Sequence, residues 1–365
     1  MQTRRFCVFS AALLFCGAVQ AQTVQLFGIV DVNVRSVHNG NAGTAIGMGD
    51  GTLNASRIGF RGLEDLGGGL KAGFWLENGF KPENGAQSSS TSFFNRRSTV
   101  SLISDRYGEL RLGHDNAPAY FNLITFDPFG GGGVASFINL FTAGAFSTPL
   151  MSGAATISRT DNSVGYFLPD NLGGVYGQAQ YSFNNDAAYG NKQLGARLGY
   201  ASGPLNVAAV VNSTQLAHNY DFNLYDIGFA YAISRARLMA QYSYMTTTLT
   251  GNYAQRSGQL TFLVGATIPI DLYQINVAYS NARGTGALDG LKADQYALGG
   301  IYNLSKRTAL YTAVSAIKNR GKSGYITGPL PAVTASTMSS SGVFQASNMT
   351  GKSSVGMELG LRHLF

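Results

Sequence analysis

The 365-residue chain is predicted to be all-β, a closed sixteen-stranded antiparallel barrel that crosses a membrane. Three observations lead there. Apolar and small or polar side chains alternate with period two along most of the chain. Only 12% of residues are charged while glycine supplies 47, a composition costly in helices and unlike that of a solvated coil. The connections between alternating stretches are short and long in turn, as antiparallel neighbours with unequal ends require.

At the N-terminus, Arg4 and Arg5 precede an apolar run from Phe6 to Val19, interrupted only by Ser10 and Gly17, and Val19-Gln20-Ala21 offers small residues for cleavage. This pattern is that of an export signal, removed after Ala21, which leaves residues 22–365 as the barrel domain. The run covers 14 residues, too short for a comfortable membrane-spanning helix. Cys7 and Cys16 both lie in it, so the exported chain carries no thiol chemistry. Without Arg4 and Arg5 there remain 24 basic against 19 acidic residues, an excess too small to suggest a nucleic-acid partner. No later segment supplies 18 continuous apolar residues, which excludes a helical membrane protein.

The alternating ribbons follow in order. Val24, Leu26, Gly28, Val30, Val32 and Val34 share one face, opposite Gln25, Phe27, Ile29, Asp31, Asn33 and Arg35. Leu194, Ala196, Leu198 and Tyr200 form another apolar face, as do Tyr225, Ile227, Phe229, Tyr231 and Ile233. Tyr273, Ile275, Val277 and Tyr279 repeat the pattern, and Val355, Met357, Leu359, Leu361, His363 and Phe365 end it. Residues i and i+2 point to the same side of a strand, so each ribbon has one apolar and one polar or small face. Short turns fall at Asp65–Gly69, Asp105–Gly108, Pro169–Gly174, Ser202–Pro204 and Leu304–Arg307; long polar connections run over Asn39–Leu53, Lys81–Ser92, Asp115–Ser158 and Asn319–Gly351. About sixteen ribbons result. Lipid demands a partner for every backbone polar group, and a closed sheet supplies one without an edge. A soluble sandwich also alternates, but inward Gly, Ala, Ser, Asn, Gln, Asp and Arg make a poor core and suit a wet lumen, while Tyr and Phe near ribbon ends suit interfacial girdles.

Parity also places charges. Arg57 and Arg61 lie opposite Ile58 and Phe60 and so point inward, with Gly59 leaving room between them; parity with Val100 and Leu102 turns Arg97 inward as well. The segment Asp115–Ser158 is the longest and most apolar connection, with Phe121, Phe126, Phe129, Phe137, Phe141 and Phe146, so it is expected to pack against the inner wall. Its Gly130–Gly133 run permits a sharp turn and lacks the Lys-Ser/Thr of a phosphate-binding loop. Its charges are Asp115 and Asp127 alone. His38, His114, His218 and His363 fit no zinc pattern, and Asp161 and Asp170 have no calcium-ligand spacing, so neither metal nor cofactor is expected. His114, beside the long segment, reads as an ordinary interfacial histidine.

Several phrases are similar to those of the Gram-negative trimeric porins, in the β-proteobacterial and neisserial branch. They are Val24-Gln25-Leu26-Phe27-Gly28-Ile29-Val30-Asp31, then Ser56-Arg57-Ile58-Gly59-Phe60-Arg61-Gly62-Leu63-Glu64-Asp65-Leu66-Gly67-Gly68-Gly69-Leu70-Lys71-Ala72, and Phe94-Asn95-Arg96-Arg97-Ser98-Thr99-Val100. Tyr107-Gly108-Glu109-Leu110-Arg111-Leu112-Gly113, Arg159-Thr160-Asp161-Asn162-Ser163-Val164-Gly165-Tyr166, Asn303-Leu304-Ser305-Lys306-Arg307-Thr308 and Leu359-Gly360-Leu361-Arg362-His363-Leu364-Phe365 complete the series. The resemblance implies a homotrimer in the outer membrane, in contact with lipid and lipopolysaccharide, and a third extracellular loop (about 115–158) folded into the lumen. It also implies insertion by the barrel assembly machinery through the terminal Phe365. It places Arg96, rather than Arg97, at the family's pore position, and that placement is preferred here over parity. Arg57, Arg96 and Arg159 then form a basic constriction cluster with Arg61 as a fourth member, facing a loop that carries Asp115, Asp127, Phe121, Phe126 and Phe129. The implied function is a water-filled channel for passive diffusion of small hydrophilic solutes. With so few loop carboxylates to oppose the arginines, small anions are the expected preference. A substrate-specific channel with a site at the constriction is the alternative. A barrel enzyme would need a converging nucleophile, base and orienting group that no histidine motif here supplies, and an adhesin would need loops that bind a host surface.

Overall fold

The computed structural model describes residues 23–40, 43–141, 157–183, 190–216, 221–248, 256–328 and 350–365; the expected export signal and Phe146 lie outside them. In chain order the elements are β1 (Thr23–Asn39), β2 (Thr44–Asp50), β3 (Arg57–Gly67), β4 (Leu70–Gly79), β5 (Arg97–Ser104), β6 (Gly108–Asn116), helix α1 (Pro118–Thr125), β7 (Arg159–Phe167), β8 (Val175–Ser182), β9 (Gly190–Ser202), β10 (Leu205–Leu216), β11 (Asp221–Ile233), β12 (Ala236–Thr248), β13 (Arg256–Ile270), β14 (Tyr273–Thr285), β15 (Leu291–Asn303), β16 (Thr308–Gly321) and β17 (Ser353–Leu364).

The described segments form one sheet of antiparallel neighbours that closes where β17 meets β1. Seventeen segments make sixteen staves. β2 pairs with the second half of β1 and β3 with the first half, so the two lie end to end as one interrupted stave. Part of the expected first long connection, Asn39–Leu53, is therefore strand. The interruption, residues 51–56, removes ladder partners from β1, and side chains replace them. Ser56 Oγ accepts the Asp31 amide (2.9 Å) and donates to the Asp31 carbonyl (3.0 Å). The Asp31 carboxylate accepts the Leu53 and Asn54 amides at 3.0 and 2.9 Å. A break inside a barrel survives only when its backbone groups find such partners.

Closure runs from Ile29 opposite Leu364 to Asn39 opposite Ser354. One further step is made by Phe365, whose amide donates to the Gly28 carbonyl (3.0 Å) and whose carbonyl accepts the Gly28 amide (3.1 Å). The Phe365 ring lies over Gly28 so closely that a Cβ there would stand 2.2 Å from it, which is why a residue without a side chain occupies that place.

The alternation sorts as the sequence implies. Leu194, Leu198, Ile227, Met357 and Leu359 point outward and are each more than half exposed, a continuous apolar surface that only hydrocarbon would cover. Asn33, Arg35, Gln193, Asn212, Gln241, Gln259 and Gln295 point inward and are buried. They are buried because the lumen is not uniformly wet. The segment between β6 and β7 enters it and packs Leu123, Phe137 and Phe141 against Val210, Phe222, Leu224, Met245 and Leu263 of the wall. Several small inward residues therefore seat a loop rather than line water.

At the closure seam Arg35 Nε donates to Glu358 Oε2 at 2.8 Å with both side chains buried, and Glu358 Oε1 accepts the Val134 amide of the inserted segment at 3.1 Å. Replacing either member breaks a buried, hydrogen-bonded ion pair, at a cost of about 3–5 kcal/mol. Glu358→Gln is thus expected to lower the urea midpoint of the barrel in lipid vesicles well below that of Leu359→Ala, its outward neighbour. Equal midpoints would remove the pair from the forces that hold the seam.

Candidate functional site at the narrowing of the lumen

The narrowing is built by the segment after β6. Ala117 is extended and Pro118 opens α1 at a position where a missing amide is harmless. The helix lies against the wall, fixed by a polar clamp. Asn122 Nδ2 donates to Asp226 Oδ1 (2.5 Å), and Asp226 also accepts Gln241 Nε2 (3.0 Å) and the Ser243 hydroxyl. Arg197 Nε donates to Asn122 Oδ1 at 2.8 Å, and its guanidinium also reaches Thr125 Oγ1 at 3.2 Å. Beyond the helix, Phe126 and Phe129 enter sockets in the wall. A Cβ on Gly228 would stand 1.9 Å from the Phe126 ring, and one on Gly299 would stand 2.7 Å from Phe129, so these strand glycines are the space the rings occupy.

Asp127 ties the next turn together. Its carboxylate accepts the amides of Phe129 (2.9 Å), Gly131 (3.1 Å) and Phe137 (3.0 Å). Burial pushes its pKa up to about 6, and the amide donors pull the other way. Gly130, Gly131 and Gly133 take positive φ values of 63°, 82° and 71°, the sharp turn expected of the glycine run. Gln295 Nε2 and Gln259 Nε2 then hold the Ser136 and Leu140 carbonyls at 3.1 and 2.6 Å.

Opposite this scaffold, Arg57, Arg96 and Arg159 converge. Arg57 Nη1 and Arg96 Nε both donate to Glu77 Oε1, at 3.1 and 2.6 Å. Arg159 Nε donates to the Arg96 carbonyl at 2.9 Å, and Tyr120 of α1 lies within electrostatic reach of both Arg57 and Arg159. Trp75 Nε1 donates to the other Glu77 oxygen at 3.1 Å. Three guanidiniums thus face one carboxylate.

Several residues sit differently from the sequence expectation. Glu77 is a carboxylate the sequence reading did not place, although its parity with Trp75 and its position across from Arg97 could have revealed it. Asp115 is not in the loop. It is the penultimate residue of β6, opposite Thr160, and is held by Arg111 Nη1 at 2.5 Å, because the strand runs two residues into the expected loop. Arg61 does not join the cluster. It stands four residues along β3 from Arg57, toward the short turn, with its Nε on Gln25 Oε1 at 2.8 Å. Phe126 and Phe129 point into the wall rather than the opening, while Phe121 is half-buried.

The choice between Arg96 and Arg97 dissolves. β5 begins at Arg97, so Arg96 lies outside the alternation and reaches Glu77 freely, while Arg97 obeys parity and also turns inward. Arg97 belongs to a second tier, 3.8 Å from Asp115 and over the Trp75 ring, with Arg111 and Glu109 beside it. His114 continues the outward row of Leu110 and Leu112 and pairs with Asp161 at 2.5 Å. Among the described residues no group of His, Cys, Asp and Glu could hold a metal ion.

A family model described as Gram-negative porin matches residues 9–322. Outer membrane porin protein 32 of Delftia acidovorans is 33% identical over 97% of this chain and 98% of its own length. An outer membrane porin protein of Bordetella pertussis is 32% identical, over 86% of this chain and 94% of its own. The solved anion-selective porin from Comamonas acidovorans superposes with a TM-score of 0.80 at 32% identity, covering 94% of this chain and all of that one. OmpT of Vibrio cholerae shares the fold, with a TM-score of 0.65 at 15% identity over 95% of this chain and all of its own.

Asp127→Ala would orphan three buried amides in the turn that carries Phe129 and Phe137. It is expected to loosen the segment and raise both single-channel conductance and open-channel current noise. A trace indistinguishable from the unaltered protein would show that the wall holds the segment without this carboxylate.

Proposed function

The chain belongs to the Gram-negative porin family, an outer-membrane barrel that forms a water-filled channel, and on that premise we propose that it prefers small anions. The observation that carries this reading is the charge balance at the narrowing. Arg57, Arg96 and Arg159 meet one opposing carboxylate, Glu77, and neither aspartate of the 115–158 segment offsets them: Asp115, on β6, is held by Arg111, and Asp127 by backbone amides. A narrow lumen focuses such a field, raising local anion concentration and repelling cations. Fixed donors replace part of the hydration an anion loses there. Guanidinium is suited to this because it stays charged and can hold a carboxylate or phosphate by two bonds.

A substrate-specific channel would need a recognition surface at the constriction, and the phenylalanines that suggested one are spent on the wall: Phe126, Phe129, Phe137 and Phe141 are all buried. A sieve with a charge filter is the reading this supports. Assembly as a homotrimer accompanies it. The His114–Asp161 pair continues an outward row of side chains, where ionisable groups are costly against lipid and suit a face covered by another subunit. Phe365, seated on Gly28 at the closure seam, is the proposed recognition point for the barrel assembly machinery, with outer-membrane lipid and lipopolysaccharide as the surroundings of the finished barrel.

In planar bilayers under a KCl gradient, Arg57→Ala and Arg159→Ala are each expected to lower the chloride-to-potassium permeability ratio several-fold. Glu77→Gln, which removes the single opposing charge, is expected to raise it. Ratios that move together or not at all would place the selectivity elsewhere.

A further inference from the structure

We propose that Arg61 and Trp75 form a second anion-binding station, on the short-turn side of the narrowing, where small halides or oxyanions pause between the arginine cluster and the periplasmic mouth. The proposal rests on the anion-selective reading and deepens it.

Arg61 lies four residues from Arg57 on β3, roughly 13 Å along the strand at 3.3 Å per residue. It faces inward, on the same side as Gln25, Phe27 and Trp75, its register partners and neighbours on β1 and β4. Its guanidinium carbon stands 5.1 Å from the Trp75 ring centre and 5.4 Å from that of Phe27, and the two rings meet edge to face at 5.1 Å. Arg97 lies over the same indole at 4.6 Å. Two aromatic faces and the Nε bond to Gln25 therefore fix the plane of a side chain that is otherwise exposed.

The charges around it differ from those of its neighbours. Arg97 shares its charge with Asp115, and Arg111 with Glu109 and Asp115. Among the described residues Arg61 has no ion pair, and its Nη groups have no protein acceptor. A pinned, unpaired guanidinium in a wet passage offers two donors to whatever anion arrives. Its height matters as well. Three arginines at one level make a well from which an anion leaves slowly, and conduction needs several weak sites rather than one deep one. Arg61 supplies the next site along the path, and Trp75 connects the two levels because its Nε1 holds Glu77 at 3.1 Å while its ring supports Arg61.

Trp75 is the single tryptophan of the chain, so the fluorescence of the folded barrel in detergent, excited at the red edge where indole absorbs and tyrosine does not, reports on this point alone. Iodide, exchanged for chloride at constant ionic strength, serves as the anionic quencher and acrylamide as the neutral one. Arg61→Gln is expected to cut the iodide quenching constant by about two-fold or more, with acrylamide quenching unchanged, and Arg61→Lys is expected to retain most of the iodide effect. Iodide quenching that survives Arg61→Gln overturns the proposal. So does an equal change in acrylamide quenching, which would mean that Arg61 merely shields the ring. The zero-current potential of the unaltered channel is read separately: a cation-selective value there would defeat the anion-selective reading, whereas quenching results alone bear on the Arg61 station.

Discussion

Hydrocarbon gives a backbone amide nothing to bond to, and that constraint organises this molecule from its seam outward. The sheet closes because β17 finds β1, and the last residue still contributes two backbone bonds through Gly28. Where the stave formed by β2 and β3 is interrupted, Asp31 and Ser56 supply the missing partners. The seam is also where the inserted segment is anchored, through Glu358 on the Val134 amide. Barrel closure and the shape of the passage are thus joined through one buried carboxylate.

Inside, the same alternation does two jobs. On one side of the lumen the inward residues are glycines, glutamines and apolar groups such as Phe222, Leu224 and Met245 that receive a loop, and the result is a packed core within a channel. On the other side they are arginines, braced by the Trp75 and Phe27 rings but not covered by the inserted segment's apolar side chains. The inserted segment is held on the first side by amide-to-carbonyl and ring-to-glycine contacts, which leaves the second open to water. Glu77 accepts from both Arg57 and Arg96 and so offsets their mutual repulsion while leaving the group net positive. Selectivity in this arrangement is a property of rigid placement, because charges that swung freely would be screened and averaged.

Much of this was legible in the residues. Period-two alternation, unequal connections and the low charge content gave the barrel and its strand number, because lipid exposure forces a regular pattern. Arg57 was readable by parity for the same reason. What escaped was irregular. The interruption at residues 51–56 hides a strand inside an apparent loop, since the alternation of Thr44–Asp50 is short and rests on Ile46 and Met48 alone, set among glycines and small residues. Arg96 precedes its strand and so obeys no parity. Glycine in a strand has the same letter whether it faces water or seats a phenylalanine, and the sockets at Gly228 and Gly299 depend on partners about a hundred or more residues away. Arg61 had the right parity, but parity carries no height, and height separates it from the cluster.

The central claim is that a fixed, net-positive group of arginines stands at the narrowest part of the lumen. Crystals of the trimer or monomer soaked in rubidium bromide test it most directly, because anomalous scattering locates each ion separately. Bromide within hydrogen-bonding reach of Arg57, Arg96 and Arg159, with rubidium absent there, is the predicted result. Rubidium at that position, or bromide found only outside the lumen, would contradict it.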